Sequence, residues 1–598
     1  MQPTDISDPD YFHRVVDCQW ACPAHTPVPE YIRLIAAGRY SDAYMVNWTS
    51  NVFPGILGRT CDRPCEPACR RGRVEAEPVA ICRLKRVAAD NKDDIRPALP
   101  KAPVARNGKR IALIGAGPSS LTVARDLAPL GYDIVLFDGE AKGGGMIRSQ
   151  IPRFRLPEEV IDEEVGYIVG IGGIETRYGE RIDSLRTLLG QGFDAVFVGT
   201  GAPRGRDLDV PGRKEAAAHI HIGIEWLANV SFGHTTKLGK RVLVLGGGNT
   251  AMDCCRTARR LGGDDVKVVV RSGFEEMKAS PWEKEDAMHE GIPILNFLVP
   301  KQVTHQKGRL TGILLEKVAA QYDEKGRRQL LPTGEPDVHL ECDDILVAIG
   351  QENAFPWIER EIGLEFDRWG LPKVDPKTMQ STLPNVFFGG DSAFGPKNII
   401  WAVAHGHEAA ISIDAFCRGE SVAIRPPPMV NLASQKMGIH EWSYDNEVSL
   451  DHRYKVPLRD QAVSLKDIRA EVELGFDRQL GYAETQRCLN CDVETVFTRD
   501  LCIECDACVD ICPTDCITFT VNGPEDELRR RLQAPALNLT QDLYVSDTLK
   551  TGRVMVKDED VCLHCGLCAE RCPTGAWDMQ KFLLDLTHAS GGHACRRA

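Results

Sequence analysis

The sequence lacks the features of a membrane or secreted protein. No apolar stretch approaches the roughly 20 residues that a transmembrane helix requires, so we expect no membrane span. The first residues, MQPTDISDPDYF, contain no basic segment followed by an apolar one, so we expect no secretory signal and a cytoplasmic location. The net charge is −13 at pH 7, and this shortage of positive charge argues against a nucleic-acid partner, because phosphate backbones attract basic surfaces.

Cysteine, by contrast, is abundant. The chain of 598 residues contains 22 cysteines, and in a large chain without a secretory signal such a count indicates metal or redox chemistry rather than disulfide bonds. The hydrophobic fraction of 43% and the charged fraction of 26% are ordinary for a globular protein. Because one hydrophobic core cannot serve so long a chain, about three to five domains are expected.

A first dinucleotide-binding pattern begins at residue 109 with KRIALIGAGPSSLTVARDLAPLGYDIVLFD. An apolar strand runs into a glycine-rich turn, a helix and a second strand. Gly115 permits the tight turn, Gly117 lets the backbone approach a pyrophosphate at the helix N-terminus, and Ser120 takes the third glycine position. Asp138, at the end of the second strand, lies where a carboxylate would accept hydrogen bonds from ribose hydroxyls. The candidate binding residues are Gly115, Ala116, Gly117, Pro118, Ser119, Ser120 and Asp138.

A second pattern begins at residue 240 with KRVLVLGGGNTAMDCCRTARRLGGDDVKVVVRS. Its second strand ends without an acid. A carboxylate there would repel a 2′-phosphate, whereas Arg271, helped by Lys278, can pair with one. The pattern therefore predicts NADP(H) rather than NAD(H), although Arg271 as a solvated surface charge is the alternative interpretation. The candidate binding residues are Gly247, Gly248, Asn249, Thr250, Arg271, Ser272 and Lys278.

The second pattern is nested between two halves of the first, which indicates a flavoprotein with two dinucleotide sites. Together with IPRFRLP (151–157), GGGNTAMD (246–253) and GGD (389–391), this order resembles the FAD-dependent oxidoreductase family of the glutamate synthase small subunit and dihydropyrimidine dehydrogenase, over residues 1–425. The resemblance implies that Asp391 binds the ribityl chain of FAD. It also implies two further groups of contacts: Gly145, Met146, Arg155, Gly390, Asn398 and Ile399 with FAD, and Ala348, Ile349 and Gly350 near the nicotinamide nucleotide.

No catalytic side chain is expected at these sites. Hydride transfer between nicotinamide and flavin requires stacked rings rather than a protein acid, base or nucleophile. The adjacent Cys254 and Cys255 suggest a dithiol at first sight. Neighbouring residues at the start of a helix point to different sides, however, so buried small hydrophobic residues are the expectation.

The C-terminal hundred residues contain two cysteine runs with ferredoxin spacing. Each reads C-x2-C-x2-C-x3-C-P, the bacterial ferredoxin run, in which the fourth cysteine ligates the other cluster. A pair of zinc sites is the alternative, but zinc needs only four thiolates at two separate CxxC knuckles. The runs predict two [4Fe–4S] sites: site C, formed by Cys502, Cys505, Cys508 and Cys572, and site D, formed by Cys562, Cys565, Cys568 and Cys512.

The N-terminal cysteines are less regular. In the family that the chain resembles, the first cysteine group reads C-x2-C-x4-C-x3-C-P, but here only its second half is present, as Cys18 and Cys22. The missing CxxC occurs far along the chain, as Cys488 and Cys491. By this analogy site A takes Cys18, Cys69, Cys488 and Cys491, and site B takes Cys22, Cys61, Cys65 and a fourth ligand that varies among relatives.

Two of these assignments have alternatives. Cys82 is the expected fourth ligand of site B, since Lys85, which aligns better with the unusual ligand of dihydropyrimidine dehydrogenase, cannot ligate as an ammonium. Cys82 as a simply buried thiol is the alternative. The alternative for Cys488 and Cys491 is that they form an independent zinc knuckle or are ordinary thiols.

The predicted fold class is α/β multidomain. We expect a helical N-terminal iron–sulfur domain, two nested Rossmann-like dinucleotide-binding domains and a C-terminal α+β bacterial-ferredoxin domain. The strand-like segment DDILVAIG is predicted to lead back into the FAD-binding domain. The predicted boundaries are 1–104 for the N-terminal domain, 105–225 with 345–425 for the FAD-binding domain, 226–344 for the NAD(P)-binding domain, 426–497 for a connector carrying Cys488 and Cys491, 498–580 for the ferredoxin domain and 581–598 for a tail.

These parts predict an electron-transfer flavoprotein, an NAD(P)H:acceptor oxidoreductase that is a subunit of a larger complex. A self-contained substrate-reducing enzyme is not expected, because no length remains for a barrel with its own FMN. A nicotinamide passes two electrons as hydride and a [4Fe–4S] cluster accepts one, so a flavin must lie between them. The expected cofactors are FAD, NADP(H) or NAD(H), and four [4Fe–4S] clusters. The ferredoxin domain, with its KDEDVCLHCGLCAERCPTGAWDM (557–579), resembles those of flavoprotein subunits of 2-oxoacid:acceptor oxidoreductases, which implies such a complex, or a ferredoxin, as redox partner. A glutamate synthase small subunit is the alternative.

Overall fold

The computed structural model describes residues 1–75, 77–438, 440–443 and 447–589. The chain divides into two compact units, each built from separate stretches of sequence. The first unit comprises Met1–Pro97, Ile424–Lys455 and Gly475–Ala598, and the second comprises Ala98–Ala423 and Val456–Leu474. No helix in the described ranges is both long enough and apolar enough to cross a membrane.

The second unit contains two parallel sheets of five strands, as the nested Rossmann prediction requires. In the first sheet the central strand, Arg110–Ile114, is buried along all but its first residue. Such a continuous apolar run is typical of parallel strands covered by helices on both faces. The strand order is Val386–Phe388, Ala195–Val198, Arg110–Ile114, Asp133–Asp138 and Ile174–Tyr178.

The second sheet extends beyond the predicted NAD(P)-binding segment 226–344. The strand Asp344–Val347, predicted to lead back into the FAD-binding domain, instead pairs in parallel with Ile220–Ile222 and Arg241–Leu245. The pairing buries Ile345 and Leu346 completely, which explains why this apolar segment belongs to the second core. The strand order is Ile220–Ile222, Asp344–Val347, Arg241–Leu245, Asp265–Val269 and Ile294–Leu295.

Further elements complete the second unit. An antiparallel sheet consists of Leu298–Gln306, Arg309–Tyr322, Arg328–Pro332 and Val338–Glu341, and Arg204–Gly205 pairs with Gln351–Glu352. The helices are Pro118–Leu127, Met146–Ser149, Glu158–Val169, Leu185–Leu189, Gly223–Ser231, Asn249–Arg260, Pro281–His289, Asp391–Phe394, Ile399–Cys417 and Gln461–Ser464.

The N-terminal part of the first unit is helical, as expected. Its helix Ile81–Asn91 is almost wholly buried, although it contains the charged residues Arg83, Lys85, Arg86 and Asp90. Burial of charged side chains on this scale requires ionic or hydrogen-bonded partners. The helices are Pro9–Val15, Asp17–Trp20, Val28–Ala36, Tyr40–Ser50, Pro54–Thr60, Cys65–Ala68, Arg71–Val74, Ile81–Asn91 and Arg478–Thr485.

The C-terminal part of the first unit is an α+β arrangement in which the connector takes part. The strand Trp577–Asp585 pairs with Met429–Ser434 and Val493–Phe497, so the predicted tail begins inside a strand and the connector contributes two. A second sheet has the order Ile517–Val521, Arg553–Lys557 and Tyr544–Val545. The remaining elements are the pair Lys436–Gly438 and Glu441–Trp442 and the helices Ala507–Asp510, Glu525–Arg531 and Leu567–Arg571.

Candidate cofactor sites

The first glycine-rich turn lies at the carboxyl end of the strand Arg110–Ile114. Gly115 has a φ of 89°, and a Cβ there would lie 2.7 Å from the carbonyl oxygen of Gly199, so only glycine fits. Gly145 has a φ of 54°, and its Cβ would lie 2.9 Å from Cα of Gly117. The predicted Gly145–Met146 turn is therefore packed directly against the glycine-rich turn, which leads into the helix Pro118–Leu127.

Asp138 is tied to this turn by hydrogen bonds. The backbone N–H of Ala116 donates to its Oδ2 at 2.6 Å, and the N–H of Glu140 donates to its Oδ1 at 2.8 Å. Burial raises the pKa of Asp138 above its usual value, while these two hydrogen bonds oppose the rise. The carboxylate thus lies at the position where a Rossmann acid meets a ribose.

The GGD segment reaches the same helix N-terminus from the other half of the domain. A Cβ on Gly390 would lie 3.1 Å from Oγ of Ser119. Asp391 accepts a hydrogen bond from the N–H of Lys397 at 2.9 Å, and burial raises its pKa to about 6. Asn398 accepts from the N–H of Trp401 at 3.3 Å and so caps the helix that begins at Ile399. Asp138, Gly145 and Gly390, from three separate candidate FAD segments, therefore contact one glycine-rich turn and the start of its helix.

The guanidinium of Arg155 is paired with two acidic side chains. Its Nη1 donates to Oδ1 of Asp253 at 2.6 Å, and its Nη2 donates to Glu283. Asp253 lies on the helix Asn249–Arg260 of the second nucleotide-binding motif, so the pair joins the IPRFRLP segment to that helix. Burial raises the pKa of Asp253 to about 6, against the lowering effect of Arg155. A contact between Arg155 and FAD stays a prediction.

The second glycine-rich turn brings the predicted nicotinamide-side residues into contact. Gly246 has a φ of 143°, and a Cβ there would lie 2.2 Å from the carbonyl oxygen of Ala348, which places Ala348, the first residue of the segment 348–350, against the turn. A Cβ on Gly248 would meet no atom within 4 Å, so the helix N-terminus that follows is open to a ligand.

The loop expected to recognise a 2′-phosphate is held by the same helix. The Oδ1 atom of Asn249 accepts a hydrogen bond from the N–H of Ser280 at 2.8 Å, which fixes the loop that carries Lys278. Arg271 and Lys278 are both exposed, Ser272 is buried, and Thr250 is partly buried at the start of the helix. Two exposed cations therefore flank the turn on the side where the acid is missing.

Site A brings together cysteines of the N-terminal domain and of the connector. Cys18, Cys69, Cys488 and Cys491 line one cavity, together with apolar side chains and Arg70 and Arg71. Burial raises the pKa of Cys488 to about 12, and the nearby thiol of Cys69 adds to that rise. Four converging thiols, of which Cys18 and Cys488 are buried and Cys69 and Cys491 are partly buried, are unfavourable as free thiolates and fit a bound metal centre.

Buried arginines fix the Cys488–Cys491 segment in place. Nη1 of Arg71 donates to the carbonyl of Arg487 at 3.3 Å, and Nη2 of Arg487 donates to Glu75 at 2.6 Å. On the other side, Nη1 of Arg33 donates to Asp492 at 2.7 Å. These contacts join the distant CxxC to the N-terminal helices through groups that are largely shielded from water.

At site B, Cys82 lies among the N-terminal thiols. Hydrogen bonds from Cys61 and Cys65 lower the pKa of the Cys82 thiol, and all three side chains are buried. Lys85 lies one turn further along the same helix and is 3% exposed. Burial alone would lower the pKa of Lys85, but the thiols of Cys82, Cys61, Cys65 and Cys22 raise it. A buried ammonium surrounded by thiols fits an anionic thiolate centre.

Sites C and D show the crossed arrangement of the two ferredoxin runs. Cys572 lines one cavity with Cys502, Cys505 and Cys508. The second cavity is lined by Cys512, Cys562, Cys565 and Cys568. Each set therefore takes its fourth cysteine from the other run, and the donor chemistry of both sets fits a [4Fe–4S] cluster.

Site D also contains a fifth thiol that sequence reasoning missed. Sγ of Cys516 lies 3.5 Å from Sγ of Cys512, and Cys516 lines the same cavity. The signal was available, because Cys516 holds the place that Ala576 holds in the second run. Cys254 and Cys255, in contrast, are fully buried in the core of the second nucleotide-binding domain, as the sequence suggests.

Comparison with known families covers all three parts of the chain. Residues 109–406 match the pyridine nucleotide-disulphide oxidoreductase family. Residues 13–96 match domain II of dihydropyrimidine dehydrogenase, a 4Fe-4S cluster domain, and residues 501–576 match the 4Fe-4S dicluster domain.

Individual relatives extend over most of the chain. The beta subunit of an NADP(+)-dependent formate dehydrogenase from Moorella thermoacetica is 35% identical over 506 residues, which cover 79% of this chain and 70% of the relative. The chain belongs to this family of FAD-dependent NAD(P)-linked oxidoreductases. The beta subunit of an NADPH-Fe(3+) oxidoreductase from Geobacter sulfurreducens is 30% identical, covering 82% of this chain and 77% of its own. The small chain of glutamate synthase [NADPH] from Azospirillum brasilense is also 30% identical, and the match covers 68% of this chain and 87% of the relative.

Membership of this family confirms the fold class and the general activity expected from the sequence. The protein is an NAD(P)H-linked FAD oxidoreductase with [4Fe–4S] domains, and it transfers electrons. When bound, the flavin supplies the conversion between hydride and single electrons. The chain itself supplies two glycine-rich turns, at Gly115 and at Gly246, and cavities lined by thiols.

Proposed function

We propose that the protein is an electron-transfer subunit that exchanges hydride with NADP(H) through one FAD and exchanges single electrons with a partner through four [4Fe–4S] clusters. The observation that carries the proposal is the cavity lined by Cys18, Cys69, Cys488 and Cys491. It supplies a complete donor set for site A, alongside the sets of sites C and D and the thiols gathered around Cys82 at site B.

The preference for NADP(H) rests on the loop after the second Rossmann strand. Arg271 and Lys278 are exposed there, and no acid ends the strand. A guanidinium pairs with the 2′-phosphate that NAD(H) lacks. The names of the three relatives above specify NADP or NADPH, which supports the same choice.

The partner is proposed to be another subunit of a larger oxidoreductase. Two relatives are named as beta subunits, one of a formate dehydrogenase and one of an Fe(3+) oxidoreductase. A 2-oxoacid oxidoreductase or a ferredoxin would accept or supply single electrons in the same way. The alternative, a small subunit of glutamate synthase, is supported by the relative from Azospirillum brasilense.

The test is chemical analysis of the anaerobically purified chain. We expect about sixteen irons, an equal amount of acid-labile sulfide and one FAD per chain, from four [4Fe–4S] centres. Addition of NADPH should bleach the flavin absorbance and produce the EPR signals of reduced clusters. About eight irons per chain would remove the N-terminal pair of sites from the proposal, and absence of FAD reduction by either nucleotide would overturn it altogether. Co-purification of another subunit from native extracts would identify the partner.

A further inference from the structure

One strand of the first unit passes three of the four thiol sites in succession. Cys491, which lines site A, lies two residues before the strand Val493–Phe497. Thr495 on this strand lines site D, and Phe497 at its end lines site C. At about 3.3 Å per residue, Thr495 is within ~13 Å of Cys491 along the chain and Phe497 within ~20 Å. The order along the strand is therefore A, D, C.

Arg70 makes a direct connection between sites A and D. It follows Cys69 in the chain, it lines the site A cavity, and its side chain is 6% exposed. Its Nη1 donates to the backbone carbonyls of Glu559 and Cys562, each at 2.9 Å, and Cys562 belongs to site D. Its Nε donates to Asp17, the neighbour of Cys18, at 2.6 Å.

A second buried contact runs parallel to the first. Oε2 of Glu494 lies 3.4 Å from Nε2 of His564, and both side chains are shielded from water. Glu494 is on the strand that follows Cys491, while His564 lies between Cys562 and Cys565 and donates its backbone N–H to the Cys562 sulfur at 3.4 Å. One route of covalent and hydrogen bonds, through Arg70, and a second route, through the close contact of Glu494 with His564, thus lead from site A residues to site D residues.

We propose that Arg70 is a positioning residue that couples site A to site D, so that the ferredoxin pair is joined to the N-terminal sites through site D and site C is outermost. The inference rests on the proposed function, since it requires clusters at these sites. The step concerned is the transfer of one electron: the centre at one site loses it and the centre at the other gains it, and no bond forms or breaks. The Arg70 cation between two anionic centres also favours their reduced states.

The experiment compares Arg70→Gln with a control, Arg14→Gln, which removes an exposed cation of the same unit. All proteins are reduced anaerobically, and EPR measures the magnetic interaction between reduced centres while flash reduction measures the rate at which the electron redistributes. In Arg70→Gln we expect full iron content, an altered interaction between the centres of sites A and D, and a several-fold slower redistribution. The control should match the unaltered protein.

Removal of site C provides the second readout, through Cys502→Ser with Cys505→Ser. This variant should lose about four irons but keep the magnetic interaction between the centres of sites A and D. Loss of that interaction would overturn the inference, as would an Arg70→Gln protein with full iron and unchanged spectrum and rate. If Arg70→Gln loses iron, Arg70→Lys, which keeps the charge, takes its place in the comparison. Iron well below sixteen in the unaltered protein would instead refute the proposed function.

Discussion

The thiols of Cys18 and Cys488 line the same cavity although they are far apart in the sequence. The hydrogen bond from Arg71 to the carbonyl of Arg487, the residue before Cys488, fixes this approach from the N-terminal side. Since Cys69 and Cys491 line the cavity too, the separated CxxC completes a set of four thiols. On the proposed assignment of four clusters, the iron content of the protein should therefore depend on residues far from its N-terminal domain.

Replacing Cys488 and Cys491 with serine should remove about four irons per chain, because site A then keeps only two thiols. Reduction of FAD by NADPH should remain, since both nucleotide-binding turns belong to the other unit. Iron and flavin analysis with stopped-flow absorbance checks both outcomes. Cys417→Ser, a thiol outside the four sites, is the control. Full iron in the double variant would show that this CxxC is no cluster ligand.

Replacing Arg271 with alanine should raise the KM for NADPH by about tenfold or more, since a hydrogen bond to a charged group contributes about 1.5–3 kcal/mol. The KM for NADH should change little, because NADH has no 2′-phosphate. Dye-reduction kinetics with both nucleotides measure the effect. Lys240→Ala removes an exposed cation at the amino end of the same sheet and serves as the control. A better efficiency with NADH than with NADPH in the unaltered protein would contradict the proposal.

Replacing Lys85 with methionine should lower the reduction potential of the site B centre. The buried ammonium lies among the thiols of this site, and a positive charge stabilises the more negative, reduced state. Redox titration followed by EPR measures the shift, and iron analysis verifies that the centre is retained. Lys455→Met, which removes an exposed charge of the same unit, should leave the potential unchanged. An unchanged potential in Lys85→Met with full iron would refute the prediction.

The carboxyl of Asp391 should make the stability of the flavin-free protein depend on pH. Its folded-state pKa is raised to about 6 from 3.8, so the folded state binds more protons and its stability falls as pH rises from about 4 to 6. The loss attributable to this group is at most about 3 kcal/mol. Asp391→Asn should remove that part of the slope in thermal unfolding across this range, whereas Asp209→Asn, at an exposed position, should not. Equal slopes in all three proteins would contradict the assignment.

Much of the architecture follows from local sequence signals. The turn at Gly115 and the turn at Gly246 are specified by glycines at fixed offsets between an apolar strand and a helix, because the backbone there admits no side chain. The crossed sets at sites C and D follow equally from the spacing within each ferredoxin run. Such patterns act over a few residues, so they can be recognised without knowing how the rest of the chain packs.

Other features depend on which surfaces of the folded chain meet. The strand Asp344–Val347 belongs to the second sheet because its partners there bury it, and nothing in its own residues distinguishes the two sheets. The same holds for the pairing of Arg155 with Asp253 and for the contact of Arg70 with the Cys562 carbonyl. The sequence by itself determined the motifs and their chemistry. Only the tertiary structure decided which distant motifs face one another, because that choice depends on the combined burial of many side chains rather than on any local spacing.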